Sequence, residues 1–170
     1  MTTPFASAYN PRAVEAAWYD WWEASDLFKP KVTSTPNPLG TFVIPIPPPN
    51  VTGTLHLGHA LTNSIQDCLI RWNRMKGKTV LYVPGCDHAG IATQVVVEKK
   101  LMRDRKMTRH QLGREAFINE VMHWKDDHVV KIYDQIRKLG ASYDWSRARF
   151  TMDPVYLEIS HDLGNVRCCN

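Results

Sequence analysis

Residues 41–61 read TFVIPIPPPNVTGTLHLGHAL, and the fold depends on how that stretch divides. Thr41 to Ile46 is a short apolar run bounded by Gly40 and Pro47, the pattern of a strand buried on both faces. Pro45 within it has no N–H for a ladder, which counts against a central place in a sheet. After the prolines, Leu57, Ala60, Leu61, Ser64, Ile65, Cys68, Leu69, Trp72 and Met75 recur every three or four residues, so a long amphipathic helix with one buried stripe is expected. Gly77 stands where such a helix ends, with Arg74 and Lys76 suited to the negative end of its dipole.

Working outward, Thr79 to Val83 reads as a second short strand closed by Pro84-Gly85, and Ile91 to Arg103 as a second helix. Strand, helix, strand and helix at this spacing predict a βαβ unit, hence an α/β fold with a parallel sheet and a right-handed crossover. Upstream, Asn10-Pro11 is a capped helix start, followed at helical spacing by Ala13, Ala16, Ala17, Trp21 and Ala24. That helix is expected to end before Pro30 and to pack on the domain through Trp18, Trp21 and Trp22, with a loop from Val32 to Gly40. Downstream, Thr108 and Gln111 form a capping box. The apolar positions Leu112, Phe117, Val121, Trp124, Ile132, Ile136 and Leu139 then run to Gly140, a length that invites a kink or two helices.

With 44% hydrophobic and 22% charged residues, the 170-residue chain is neither disordered nor collagen-like nor a coiled coil. Cys68, Cys86, Cys168 and Cys169 form no metal or disulfide framework, which fits a reducing compartment. No apolar run reaches membrane-spanning length, and residues 1–10 show neither signal-peptide nor presequence character, so no membrane partner and a cytoplasmic location are expected. The net charge of +4 is compatible with an anionic ligand. The basic residues Arg71, Arg74, Lys76 and Lys78, and Lys99, Lys100, Arg103, Arg105 and Lys106, read as solvated helix faces before they read as a nucleic-acid surface.

In a parallel α/β sheet, ligands bind beyond the carboxyl ends of the strands. Two segments fall there: residues 47–59 and residues 84–93. Thr52, Gly53, His56, Gly58 and His59 surround the first turn of the long helix, where free N–H groups and the positive helix end favour a phosphate. A His-x-Gly-His tetrad is expected by chance only roughly 0.015 times in such a chain. Capping is the plainer role for two histidines there, and donation to a phosphoryl group the functional one. Asp87, at the other strand end, suits either a substrate ammonium or the cap of the next helix. A zinc site from His56, His59, Asp87 and His88 lacks the i, i+4 pairing of helical zinc ligands, so no metal is expected.

The run IPPPNVTGTLHLGHA at 46–60 resembles the HIGH motif of class I aminoacyl-tRNA synthetases, in the form carried by their valine-specific members. PGCDHAGIATQVVVE at 84–98, TRHQLGRE at 108–115, LGASYDWSR at 139–147 and FTMDP at 150–154 extend the resemblance over residues 9–154. It implies the first half of a Rossmann-like catalytic domain at 41–154, an N-terminal helix and linker at 1–40, and an atypical tail at 155–170. It also implies activation of valine by ATP with Mg2+, then transfer to tRNA(Val). His56 and His59 would be catalytic and, with Thr52, Gly53 and Gly58, would bind ATP. Pro47, Pro48 and Asn50 would shape the valine site, and Asp87 would take the α-ammonium.

The family's second ATP motif, KMSKS, lies far downstream. Lys106-Met107-Thr108-Arg109-His110 echoes it but precedes a first-half block and is not its counterpart. Half of such a sheet is expected to expose an apolar edge and face. The alternatives are a His-x-Gly-His nucleotidylyltransferase and a non-catalytic nucleotide- or partner-binding module.

Overall fold

A computed structural model describes residues 8–153. The chain begins with α1 (Pro11–Glu15) and α2 (Trp18–Ala24), where one helix is expected from the sequence. Asn10 caps α1 by accepting the Ala13 N–H at 3.3 Å. The alanine positions and Trp21 face solvent, and the domain is met instead through Tyr19 and through Trp22, whose ring lies 5.9 Å from the Arg71 guanidinium; the buried Phe28 packs against both rings. Of the three tryptophans only Trp22 is half-buried; Trp18 and Trp21 lie open. Specific hydrogen bonds rather than a greasy face dock this segment. The Tyr19 hydroxyl donates to the Ala141 carbonyl at 2.7 Å and accepts Trp145 Nε1–H at 2.7 Å.

The strand β1 (Thr41–Pro45) and β2 (Thr79–Val83) pair in parallel across α3 (Leu57–Met75), with Thr41 opposite Thr79 and Pro45 opposite Val83. The βαβ unit is therefore present, and Gly77 follows α3 with φ +81°. After Pro84 the extended chain continues as β3 (Gly85–Cys86), which pairs in parallel with β4 (Arg149–Phe150). The carbonyl of Val83 accepts from Ile46, whereas those of Tyr82, Pro84 and Cys86 accept from Asp144, Arg149 and Thr151. Successive carbonyls of an extended chain point to opposite edges, so residues 79–87 are the central strand, flanked by β1 and by residues 144–151.

Two expectations about this layer are corrected. Along β1, Phe42 and Ile44 are half-buried while Thr41, Val43 and Pro45 are exposed, so the strand is covered on one face only. It is an edge, and since Ile46 donates to β2, the alternating N–H positions put proline at 45 on the open side, where its missing donor costs nothing. The stripe on α3 is also open: Leu57 is 88% and Met75 80% exposed, and Leu61, Ile65, Cys68, Leu69 and Trp72 lie with them. The side that meets the domain carries Asn63, Ile70 and Asn73. It is held by polar bonds: Asp67 accepts the Ser142 N–H at 2.8 Å, and Arg71 donates to the Gly140 carbonyl at 2.7 Å. The exposed edge and face expected of a half-sheet are thus both seen.

The main core gathers Ile46, Val51, Ile70, Tyr82, Cys86, Ile132, Ile136 and Tyr143. A smaller one, Val97, Leu101 and Phe117, joins α4 (Gly90–Arg105) to α6 (Arg114–Lys138). Between them lies α5 (Arg109–Leu112), started by the Thr108–Gln111 capping box. The break expected in the third helical region occurs at Gly113, whose φ of +86° ends α5 and starts α6. Arg71 and Arg74 are not a solvated face but braces, Arg74 donating to Ser142 Oγ at 3.2 Å. The tail at 155–170, with Cys168 and Cys169, lies outside the described residues.

Candidate active site

The two strand-end loops are tied to each other. Val51 N–H donates to the Asp87 carbonyl at 3.0 Å, Asp87 N–H donates to the Pro49 carbonyl at 2.9 Å, and Asn50 and Asp87 form an isolated parallel bridge. Pro49 is buried, which leaves Pro47, Pro48 and Asn50 exposed around the junction. Thr52 and Gly53, half-buried, turn the chain toward α3.

His56 is the N-cap of α3. Its Nδ1 accepts the Gly58 N–H at 3.1 Å, and Nδ1 of His59 accepts the His56 N–H at 3.2 Å, a capping box built from two histidines. The capping role is therefore realised, and it fixes the chemistry. A ring nitrogen that accepts an N–H carries no proton, so each neutral imidazole bears its hydrogen on Nε2. The rings lie 3.9 Å apart. Burial, and secondarily repulsion from His56, holds the His59 pKa below its ordinary value and favours that neutral donor form. Gly58 has a reason beyond ligand approach: a Cβ there would lie 2.9 Å from His56 Cε1.

On the second loop, Asp87 Oδ1 accepts the Thr151 hydroxyl at 2.8 Å. Thr151 Oγ1 in turn accepts the His88 N–H at 2.9 Å and lies 2.7 Å from His88 Nδ1. Asp87 does not cap α4. The N-cap is Ala89, a non-glycine residue in the left-handed region at φ +51°, and Thr93 Oγ1 donates to the His88 carbonyl at 2.6 Å across this tight turn. A cavity of about 590 Å³ beside it is lined by Val51, His88, Thr93, Phe117 and Phe150; His56, His59 and Asp87 are not among its lining residues. The structure thus joins the loop at 49–51 directly to Asp87, with His56 and His59 further along the chain at the start of α3, and this cavity encloses none of the three.

Three residues of this site escape local sequence reading. Trp124 Nε1–H donates to the Val51 carbonyl at 2.8 Å, and Gln135 Oε1 accepts the Leu55 N–H at 3.0 Å, so α6 braces the first loop. Thr151 braces the second. Trp124 shows in sequence only as an apolar helix position, Thr151 only as a member of the FTMDP stretch with no role attached, and Gln135 gives no signal at all. Among the described residues no group of three or more His, Cys, Asp or Glu could hold a metal ion, and no helix is long and apolar enough to cross a membrane.

Comparison with known proteins adds the following. The family model described as tRNA synthetases class I (I, L, M and V) matches residues 17–162. The valine–tRNA ligase of Homo sapiens is 63% identical over 158 residues, covering 91% of this chain and 12% of that protein. The mitochondrial valine–tRNA ligase of Saccharomyces cerevisiae is 59% identical over 156 residues, covering 91% of this chain and 14% of that protein. The crystal structure of a ternary complex of Agrobacterium radiobacter K84 agnB2 LeuRS with tRNA and LeuAMS superposes with a TM-score of 0.68 at 21% identity, over 93% of this chain and 18% of that one. This chain therefore spans only a small part of the length of the relatives it matches.

Proposed function

The chain belongs to the class I tRNA synthetases of the isoleucine, leucine, methionine and valine group, and from that premise we propose that it forms the amino-terminal part of the catalytic site of a valine–tRNA ligase. In that reaction a carboxylate oxygen of valine attacks the α-phosphate of ATP, the bond to pyrophosphate breaks, and the valyl group then passes to the terminal adenosine of tRNA(Val). Mg2+ arrives with ATP as part of the substrate and offsets phosphate charge.

The observation that carries the reading is the backbone ladder joining Val51 to Asp87 and Asp87 to Pro49. It ties the loop that leads into the phosphate-seeking helix start to the strand end that carries the carboxylate, which supports a site shared by the two loops. The Nε2–H groups of His56 and His59 face the phosphates, with Thr52, Gly53 and Gly58 shaping their approach. Asp87 holds the α-ammonium, as a charge-assisted bond favours. Pro47, Pro48 and Asn50 wall the side-chain pocket, and the rigid prolines suit a branched apolar group. The choice of valine rests on the 63% identity to a valine–tRNA ligase. A nucleotidylyltransferase has no need of the ammonium-binding side of this site.

Valine-dependent pyrophosphate–ATP exchange, measured on this chain and on a longer polypeptide that carries it, tests the reading. Exchange stimulated by valine and lost in Asp87→Asn is expected. Exchange that responds to leucine or isoleucine in place of valine, or that survives Asp87→Asn with an unchanged KM for valine, overturns it.

A further inference from the structure

Asp87 is gripped from one side. Among the described residues its Oδ1 receives the Thr151 hydroxyl, and its Oδ2 receives nothing. A hydroxyl has one proton, and a carboxylate accepts only, so the Thr151 proton is committed to Asp87. The contact between Thr151 Oγ1 and His88 Nδ1 at 2.7 Å then has one consistent assignment, with His88 Nδ1–H as donor. The ring nitrogen also lies 3.3 Å from Asp87 Oδ1. The His88 backbone N–H supplies a second donor to the hydroxyl at 2.9 Å. Two donors feeding one oxygen polarise its O–H and strengthen the bond it gives to the carboxylate.

The threonine does not depend on its own side chain for its place. Thr151 N–H donates to the Cys86 carbonyl at 3.2 Å, at the end of the β3–β4 ladder, so backbone pairing delivers Oγ1 to Asp87 across 64 residues of sequence. Phe150 and Asp153 close the turn behind it, Phe150 N–H donating to Asp153 Oδ2 at 2.9 Å.

We propose that Thr151 is a positioning residue for amino-acid recognition: its hydroxyl, held by His88, fixes Asp87 in the rotamer that presents Oδ2 to a substrate ammonium. This rests on the reading of Asp87 given above. Thr151 touches no substrate and acts only through the carboxylate. The loss of one hydrogen bond to a charged group therefore weakens ligands that carry an ammonium and spares those that do not.

Titration of the 170-residue chain with valine, with isobutylamine and with 3-methylbutanoate, followed by calorimetry, separates the possibilities. Thr151→Val, which keeps the shape and removes the hydroxyl, is expected to weaken valine and isobutylamine about tenfold, whereas Thr151→Ser stays within roughly threefold of the parent. Binding of 3-methylbutanoate, which lacks the ammonium, stays the same in all three. Thr151→Ala carries the same expectation should the valine variant fail to fold. Parent-like valine binding in Thr151→Val, alongside its loss in Asp87→Asn, overturns the positioning role. So does an equal loss of all three ligands, which marks a structural effect. Valine binding that survives Asp87→Asn, or is missing from the parent chain, overturns the reading of Asp87 itself.

Discussion

His59 and His56 cap one helix reciprocally: Nδ1 of His59 accepts the His56 N–H at 3.2 Å, while the His56 ring accepts from the second residue of the helix. Each ring spends one nitrogen on the backbone and keeps the other as an outward donor. A pair of aspartates would cap as well but, being acceptors only, would leave no such donor.

Replacing His59 by alanine removes both functions. In a longer polypeptide competent for exchange, His59→Ala is expected to slow valine-dependent pyrophosphate exchange by about 10² or more. Normal exchange in that variant removes His59 from the chemistry and leaves it a cap alone.

The depressed pKa of His59 has a sign that can be read in stability. The unfolded chain takes up a proton near the ordinary value of 6.5 while the folded chain resists it, so unfolding gains protons as pH falls below that value. Stability from this residue is complete above 6.5 and is lost as pH falls through the folded-state pKa. His59→Gln, which can still cap but does not titrate, is expected to show a smaller drop in Tm between pH 7.5 and 5, values taken as about one unit or more either side of the ordinary range. Parallel Tm–pH curves for the two proteins would contradict the assignment.

Gly58→Ala separates fold from site. An added Cβ meets His56 Cε1 at 2.9 Å and Nδ1 at 3.0 Å, so the imidazole must swing away and its cap is lost. That costs about 1 kcal/mol, and alanine's better helix propensity returns a similar amount. The expected outcome is a denaturation midpoint close to the parent's with exchange down by about tenfold or more, because the His56 donor is displaced. A strongly destabilised protein would show that the ring cannot move.

A buried polar cluster fastens α3. The Tyr82 and Tyr143 rings stack at 3.9 Å with their hydroxyls 2.9 Å apart, Tyr143 donating to Asn63 and Tyr82 to Gln66. Tyr143→Phe leaves the buried Asn63 amide oxygen short of its donor and is expected to cost about 1–3 kcal/mol in urea unfolding. Burial pushes the Tyr82 pKa up to about 12, so its absorbance should titrate well above that of free tyrosine. An unchanged midpoint in Tyr143→Phe would mean that water replaces the hydroxyl.

Gly85→Ala tests the sheet. The new Cβ would sit 2.9 Å from the Arg149 carbonyl oxygen, in the backbone of the neighbouring strand, which cannot rotate away. A loss of about 1–3 kcal/mol is expected, read as a lower urea midpoint. A neutral result would show that β4 is free to shift.

The sequence by itself determined the βαβ unit, the helix that follows it and the motif. Apolar spacing, Gly77, Gly140 and the Thr108–Gln111 pair mark helix ends because propensity and capping act within a few residues, whereas they do not place the break at Gly113. His56, His59 and Asp87 could be placed at strand ends for the same reason. Only the tertiary structure decided which side of α3 is covered. Periodicity shows where the apolar side chains lie, but burial needs a partner, and within these residues the partner is the 140–144 segment, whose polar groups answer Asp67, Arg71 and Arg74. The braces at Trp124, Gln135 and Thr151 were hidden too. Each reaches across 64 residues or more of sequence, and no local pattern records a hydrogen bond that only the packed chain can close.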